Sequence, residues 1–157
     1  MSTCGRIVMI PIEKSSYSKR IVEWYFNKLW KYDDQVIFIH VYNIPLMSTP
    51  TARFGYSVAL PEWEGVHKSV DKEVLERISE FEELCSSRNL RFKTIYKTGE
   101  AGIVICEQAN KENVNFIIMG SRGLGKIARV LIGSVSRHVI LHSGLPVLVI
   151  PPRTEEN

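Results

Sequence analysis

Runs of apolar residues alternate along the chain with segments in which apolar residues recur every three or four positions. Uninterrupted runs at residues 7–10, 36–39, 116–119 and 147–150 are typical of strands that helices cover on both faces. A further segment alternates as an ordinary strand does. We therefore predict five strands, at residues 6–12, 35–42, 91–97, 115–119 and 146–150.

The helical spacing falls between these strands. We predict helices from the serines at 15, 16 and 18 to about Tyr32, at 67–87, at 101–110, and from Ser134 to a C-terminal cap at Gly144. Strands that alternate with helices predict an α/β fold with a doubly wound parallel sheet. Residues 1–157 are expected to form a single domain with a tail at 153–157.

One connection is unusually long. Residues 43–66 contain Pro45, Pro50, Pro61, Gly55 and Gly65, which are too many breakers for a regular element. A loop of this length in a compact domain is typically either a functional cover or partly disordered.

A glycine-rich segment follows the strand at 115–119. Gly120 and Gly123 are separated by two residues, nine residues follow, and Gly133-Ser134 then precedes a helical pattern. Glycine permits positive φ and a close approach of the backbone to a ligand, and we expect Ser134 to be the N-cap of the helix. A loop and a helix N-terminus of this kind are suited to a polyphosphate.

Charge supports an anion site in this segment. No acidic residue occurs between Glu112 and Glu155, whereas the same stretch carries five basic residues, Arg122, Lys126, Arg129, Arg137 and Arg153. The whole chain has a net charge of only +3, so the basic excess is local.

Two common phosphate motifs match only in part. From Gly120 the segment fits GxxxxGK, but Ile127 replaces the hydroxyl residue that a P-loop places on Mg²⁺. From Gly123 it fits GxGxxA, but a dinucleotide fold needs an acid about 20 residues later, and none occurs before Glu155. A third pattern, GxxG, nine residues and GS, remains.

That third pattern, GSRG followed after nine residues by GSVS, resembles the nucleotide-binding motif of the universal stress protein family. The segments RIVMIPIEKSSYS, QVIFIHVYNIP and LPVLVIPP also resemble the family's first, second and last strands. The resemblance implies a Rossmann-like sheet in the order 3-2-1-4-5. It also implies ATP as the ligand, with Mg²⁺, and a homodimer.

The resemblance also implies the binding residues. Glu13 stands where the family usually has an aspartate that contacts the adenosine part, and Val41 matches the position whose backbone meets adenine. Ser121, Arg122 and Leu124 are expected to offer backbone N–H groups, and Ser134 a hydroxyl. The full predicted set is Pro11, Glu13, Val41, Gly120, Ser121, Arg122, Gly123, Leu124, Gly133, Ser134, Val135 and Ser136. No catalytic residue and no metal ligand are predicted.

Composition excludes several other classes. No apolar run is long enough to span a membrane, and the start lacks a signal-peptide pattern, so the cytoplasm is the expected location. The three cysteines are widely spaced and form no CxxC, and His138 and His142 have no neighbouring ligand for a metal. A net charge of +3 is too small to favour nucleic acid as a partner.

Three functions are considered, and the stress-response role in the first of them is what the family resemblance implies. The first is an ATP-binding stress-response protein that acts as a nucleotide-dependent switch or interaction module, with an unknown downstream partner. The second is a slow ATP hydrolase or adenylyl-transferring enzyme. This alternative lacks an HxGH or SGGxDS motif and an acid in the glycine segment. The third is a dimeric interaction module without nucleotide.

The last strand predicts how two copies associate. Residues 146–150 carry no charge, and in the implied order they form an edge, where unprotected strands tend to pair. We expect a homodimer through Pro146 to Ile150, with antiparallel pairing across a twofold axis. The alternative is an edge that the loop at 43–66 or the tail shields.

Overall fold

The structure, a computed structural model, describes residues 5–42, 71–121 and 132–151. Strands and helices alternate throughout these segments, as the periodicity predicts. The elements are β1 (Ile7–Pro11), α1 (Tyr17–Lys28), β2 (Gln35–Tyr42), α2 (Lys72–Ser87), β3 (Arg91–Thr98), α3 (Ala101–Lys111), β4 (Phe116–Gly120), α4 (Ser134–His142) and β5 (Val147–Ile150).

The five strands form one parallel sheet in the order β3-β2-β1-β4-β5. Val8 of the central strand pairs with Val36 on one side and with Phe116 on the other. The predicted order is therefore confirmed. The direction of winding reverses between β1 and β4, and such a reversal opens a crevice at the carboxyl ends of the strands.

Each face of the sheet has its own core. Val8, Ile10 and Phe38 pack with α1 and α2, whereas Met9, Ile37 and Ile117 pack with α3 and α4. Successive side chains of a strand point to opposite faces. Because both faces are covered, the central positions of these strands are apolar, which explains the uninterrupted runs in the sequence.

Several boundaries differ from the prediction. Helix α1 ends at Lys28 rather than near Tyr32, because the N–H groups of Leu29 and Trp30 both bond to the Tyr25 carbonyl and close the last turn. The predicted start of α2 at residue 67 and the loop at 43–66 lie outside the described residues. The described part of α2 begins after Asp71, whose carboxylate accepts the Glu73 N–H at 3.0 Å.

A buried carboxylate organises the amino ends of the central strands. The Asp34 side chain is fully buried and accepts hydrogen bonds from Arg6 at 2.7 and 2.8 Å, from the Tyr25 hydroxyl at 2.8 Å and from the Lys31 N–H at 2.9 Å. Burial alone would raise the pKa of Asp34, but the hydrogen bonds from Arg6, Tyr25 and Lys31 outweigh burial and lower it. The network ties α1 to the amino ends of the strands, which lie opposite the crevice.

Two glycines near helix ends have different structural roles. Gly144 follows α4 with a φ of 66°, which confirms it as the positive-φ residue after the helix. Gly102 of α3 lies against His138 of α4, so closely that a Cβ there would be 2.8 Å from the imidazole Cγ. The absence of a side chain at Gly102 therefore lets these two helices pack at this distance.

Among the described residues, no helix is long and apolar enough to cross a membrane.

Candidate functional site

A crevice of about 320 Å³ opens where β1, β2 and β4 end. This volume lies within the usual range for small-molecule sites. Tyr17, Ala101 and Val135 line the crevice, so the N-termini of α1, α3 and α4 all reach it. None of these three helices carries an acidic residue in its first turn. The N-cap residue of α3 is Glu100, whereas α1 and α4 are capped by the uncharged Ser16 and Gly133. The positive dipole ends of α1 and α4 therefore favour an anion.

The segment after β1 brings Glu13 to the crevice. The Ser18 hydroxyl accepts the Glu13 N–H at 2.7 Å and donates to the Glu13 carbonyl at 2.9 Å. Ser18 is itself buried within α1. Both backbone groups of Glu13 are thereby fixed, and this half-buried residue is one of those that line the crevice.

The same segment is held from outside by α2. Arg77 donates to the carbonyls of Lys14, at 2.9 Å, and of Ser15. The Lys14 ammonium lies 2.8 Å from Asp71, and this hydrogen bond raises the pKa of the lysine. The charge of Lys14 is therefore directed towards the start of α2 rather than towards a ligand.

The end of β2 forms the wall opposite α1. His40 lies 2.8 Å through Nδ1 from the Ile12 carbonyl, and since a carbonyl only accepts, Nδ1 carries the proton. The Ile12 N–H in turn donates to the Ile39 carbonyl at 2.8 Å. These bonds fix β1 to β2 beside Val41, which packs on the face covered by α3 and α4 and lines the crevice.

Gly120 lies at the end of β4, but not with the positive φ that the sequence suggested. Positive φ among the described glycines occurs at Gly99 and Gly144. A Cβ on Gly120 would instead lie 3.0 Å from Cδ1 of Tyr17 and 3.1 Å from Cδ1 of Ile21. Glycine is needed here because α1 packs closely on the strand end.

Two further predictions for this region are corrected. The Ser121 N–H donates to the Ile150 carbonyl at 3.1 Å, so it extends the sheet and is not offered to a ligand. Gly133 rather than Ser134 is the N-cap of α4: its backbone is extended, and its carbonyl accepts the Arg137 N–H at 2.9 Å, the first bond of the helix. Ser134 is the first helical residue and is exposed.

Ser136 connects α4 to the strand end. Its buried hydroxyl donates to the Gly120 carbonyl at 2.8 Å. The hydroxyl proton is therefore used within the chain. This bond holds the start of α4 beside the end of β4, where the two elements line the crevice.

The structure brings together much of the predicted set. Pro11, Glu13, Val41, Gly120 and Val135 line one crevice. The other predicted residues that are described, Ser121, Gly133, Ser134 and Ser136, lie at the end of β4 and the start of α4. Arg122, Gly123 and Leu124, and the basic residues Lys126 and Arg129, lie outside the described residues.

Sequence reasoning missed eleven of the sixteen lining residues, among them Tyr17, His40, Ala101 and Met119. A usable signal existed for two of them: His40 precedes Val41, and Ala101 begins a helix directly after a predicted strand. No group of three or more potential metal ligands occurs within the described segments. We therefore assign no residue of this part of the chain as a ligand of Mg²⁺.

An open parallel sheet whose winding reverses above a crevice of this kind defines a doubly wound, Rossmann-like α/β protein. Residues 5–151 match the model of the universal stress protein family, and the chain belongs to that family. The family expected from the glycine motif is thus confirmed.

Individual relatives agree with this assignment. A universal stress protein A-like protein of Arabidopsis thaliana is 27% identical over 142 residues, which cover 88% of this chain and 80% of the relative. A universal stress protein family protein of the same plant, solved with AMP bound, has a TM-score of 0.68 at 23% identity and covers 96% of this chain and 94% of its own. A universal stress protein in complex with cAMP has a TM-score of 0.62 at 17% identity, covering 95% and 98%. At these identities the solved structures show the shared fold.

Proposed function

We propose that this protein binds ATP, with Mg²⁺, in the crevice, and that it acts in the cytoplasm as a nucleotide-dependent switch or interaction module in a stress response. The observation that carries the proposal is the convergence of three helix N-termini on one crevice that Glu13 also lines. None of the three has an acid in its first turn, and two of them, α1 and α4, also have an uncharged N-cap. Two solved structures of similar fold contain AMP and cAMP, which supports a nucleotide as the ligand.

The chemistry of the walls suggests how the nucleotide lies. Ile39, Val41 and Ile105 provide an apolar wall for the base. A carboxylate such as Glu13 can accept hydrogen bonds from ribose hydroxyls. The phosphates then extend towards Gly120 and the start of α4, where the helix dipole and the basic glycine segment favour negative charge.

Gly123→Val tests the role of the glycine segment. Valine disfavours positive φ and adds bulk where the phosphates are proposed to lie, so calorimetry should show loss of ATP binding by a folded protein. Gly125→Val is the matched control, because Gly125 lies in the same segment but outside the GxxG and GS pattern. Unchanged affinity in Gly123→Val, or equal loss in both variants, would contradict the proposed role of the pattern.

The enzyme alternative makes a different prediction. The segment between Glu112 and Glu155 offers no acid to hold a metal or orient water, so we propose binding with slow turnover or none. Nucleotide that copurifies with the protein should be ATP. Turnover of several ATP molecules per second would favour the hydrolase.

We also propose that two copies pair through β5. The strand lies at the edge of the sheet, carries no charge, and leaves Val147, Leu148 and Val149 only half-buried. Such an edge tends to recruit another strand.

The carbonyls of Pro146 and Ile150 accept the N–H groups of Ile117 and Ser121, so alternate residues of β5 face β4 and the Val149 N–H points to the free side of the strand. Val149→Pro removes that donor. It should convert a dimer, measured by sedimentation at micromolar concentration, into monomer or aggregate, whereas a wild-type monomer would contradict the pairing.

A further inference from the structure

The Tyr17 hydroxyl is an unusual group in this site. Tyr17 is the first residue of α1 and lines the crevice. Its hydroxyl oxygen is buried, and it has no hydrogen-bond partner among the described residues. It is also the only buried side-chain polar atom of these residues in that condition. Buried polar atoms without a partner are rare in folded proteins and call for an explanation.

The ring of Tyr17 is held in place by its packing. Cδ1 lies 3.0 Å and Cε1 3.6 Å from the position that a Cβ on Gly120 would take. The ring therefore bridges the start of α1 and the carboxyl end of β4. Gly120 is the first residue of the glycine-rich segment, so the ring stands on the side of the crevice where that segment begins.

The hydroxyl is suited to donate rather than to ionise. Burial raises the pKa of Tyr17, and the nearby Arg20 only partly offsets this. The group is therefore neutral at physiological pH and carries one proton for a hydrogen bond. An oxygen atom of a bound ligand would supply the acceptor that the described part of the chain does not provide.

We propose that the Tyr17 hydroxyl is a ligand-binding group that donates a hydrogen bond to a phosphate oxygen of the bound nucleotide. The inference rests on the proposed nucleotide site and adds to it a residue outside the glycine segment. A phosphate oxygen is the favoured acceptor because the ring lies on Gly120 and at a helix N-terminus with no first-turn acid.

Tyr17→Phe separates this role from packing, since phenylalanine keeps the ring on Gly120 and removes only the hydroxyl. ATP affinity measured by calorimetry should fall on the order of tenfold, because a hydrogen bond to a charged oxygen is lost. The melting temperature of the nucleotide-free protein should stay the same or rise, because the variant no longer buries an unpaired hydroxyl. Adenosine, which lacks phosphate, should bind both proteins equally.

Tyr25→Phe is the matched control on the same helix. The Tyr25 hydroxyl donates to Asp34 at 2.8 Å, at the amino ends of the strands and away from the crevice. Removal of this partnered hydroxyl should lower the melting temperature and leave ATP affinity unchanged. Tyr17→Phe should therefore lower ATP affinity without a loss of stability, and Tyr25→Phe should lower stability without a loss of ATP affinity.

Three outcomes would overturn the inference while the proposed function stands. These are wild-type ATP affinity in Tyr17→Phe, a lower melting temperature of the nucleotide-free variant, which would reveal a partner within the chain, and an equal loss of affinity for adenosine. If the wild-type protein binds no nucleotide at millimolar concentration, the proposed function itself fails. The wild-type titration separates that case from the other three.

Discussion

Replacement of Asp34 by asparagine should lower the free energy of unfolding by about 2–4 kcal/mol at pH 7. The carboxylate is fully buried, and two of its hydrogen bonds come from the Arg6 guanidinium. A hydrogen bond to a charged group contributes about 1.5–3 kcal/mol net. The side chain of Arg6 keeps 29% of its surface exposed, so water recovers part of the loss. An asparagine oxygen can still accept from Tyr25 or Lys31, which limits the cost further.

The pH dependence gives this prediction a sign. The folded protein lowers the pKa of Asp34 below the ordinary value of 3.8. The carboxylate therefore contributes stability that is fully present above the unfolded pKa and is lost as the pH falls through the folded pKa. The difference between wild type and Asp34→Asn should be constant near pH 7 and should shrink below about pH 4.

Urea denaturation at a series of pH values measures both effects. Asp33→Asn is the control, because it makes the same change one residue earlier, where the carboxylate has no hydrogen bond within the described residues; its effect should stay within about 0.5 kcal/mol. ATP affinity should not change in Asp34→Asn, since Asp34 lies at the amino ends of the strands, opposite the crevice. A loss of under about 0.5 kcal/mol, or a loss that persists undiminished at pH 3, would refute the assigned network.

Two further predictions concern the crevice itself. Ser134→Ala should weaken ATP binding on the order of tenfold in calorimetry. It should leave the melting temperature unchanged, because Ser134 is exposed and Gly133 is the N-cap residue of α4. A lower melting temperature with full affinity would show a purely structural role. Gly102→Ala should destabilise the protein by about 1–3 kcal/mol in urea denaturation and also weaken ATP binding, because its Cβ would lie 2.8 Å from the His138 ring and push α4 away from α3. Wild-type stability in that variant would show that the two helices separate without cost.

The sheet could be predicted because burial on both faces leaves a direct trace in the sequence. The runs at 36–39 and 116–119 are apolar at every position, which is typical of strands that helices cover on both faces. The strand order came from the family resemblance, because periodicity does not encode which strands are neighbours. Gly120 was correctly placed at the end of β4, but its reason, contact with Tyr17 and Ile21, depends on a helix about 100 residues earlier in the chain.

The remaining features required three-dimensional information. Arg6 and Asp34 are 28 residues apart, and nothing in either neighbourhood marks them as partners. The N-cap of α4 shifted by one residue from Ser134 to Gly133, which is within the usual uncertainty of helix ends. The Tyr17 hydroxyl could not be recognised either, because a missing partner is a property of the packed structure alone.

The central claim is that a nucleotide binds at the carboxyl ends of the strands. An NMR titration of the isotopically labelled protein with ATP and Mg²⁺ tests this claim most directly. Amide signals of Glu13, Val41, Ala101 and Val135, which line the crevice, should shift and saturate together with a single affinity. Signals of Arg6, Asp34 and Asn115, at the amino edge, should stay in place. Shifts confined to the amino edge, or no saturable shift at millimolar ATP, would contradict the account.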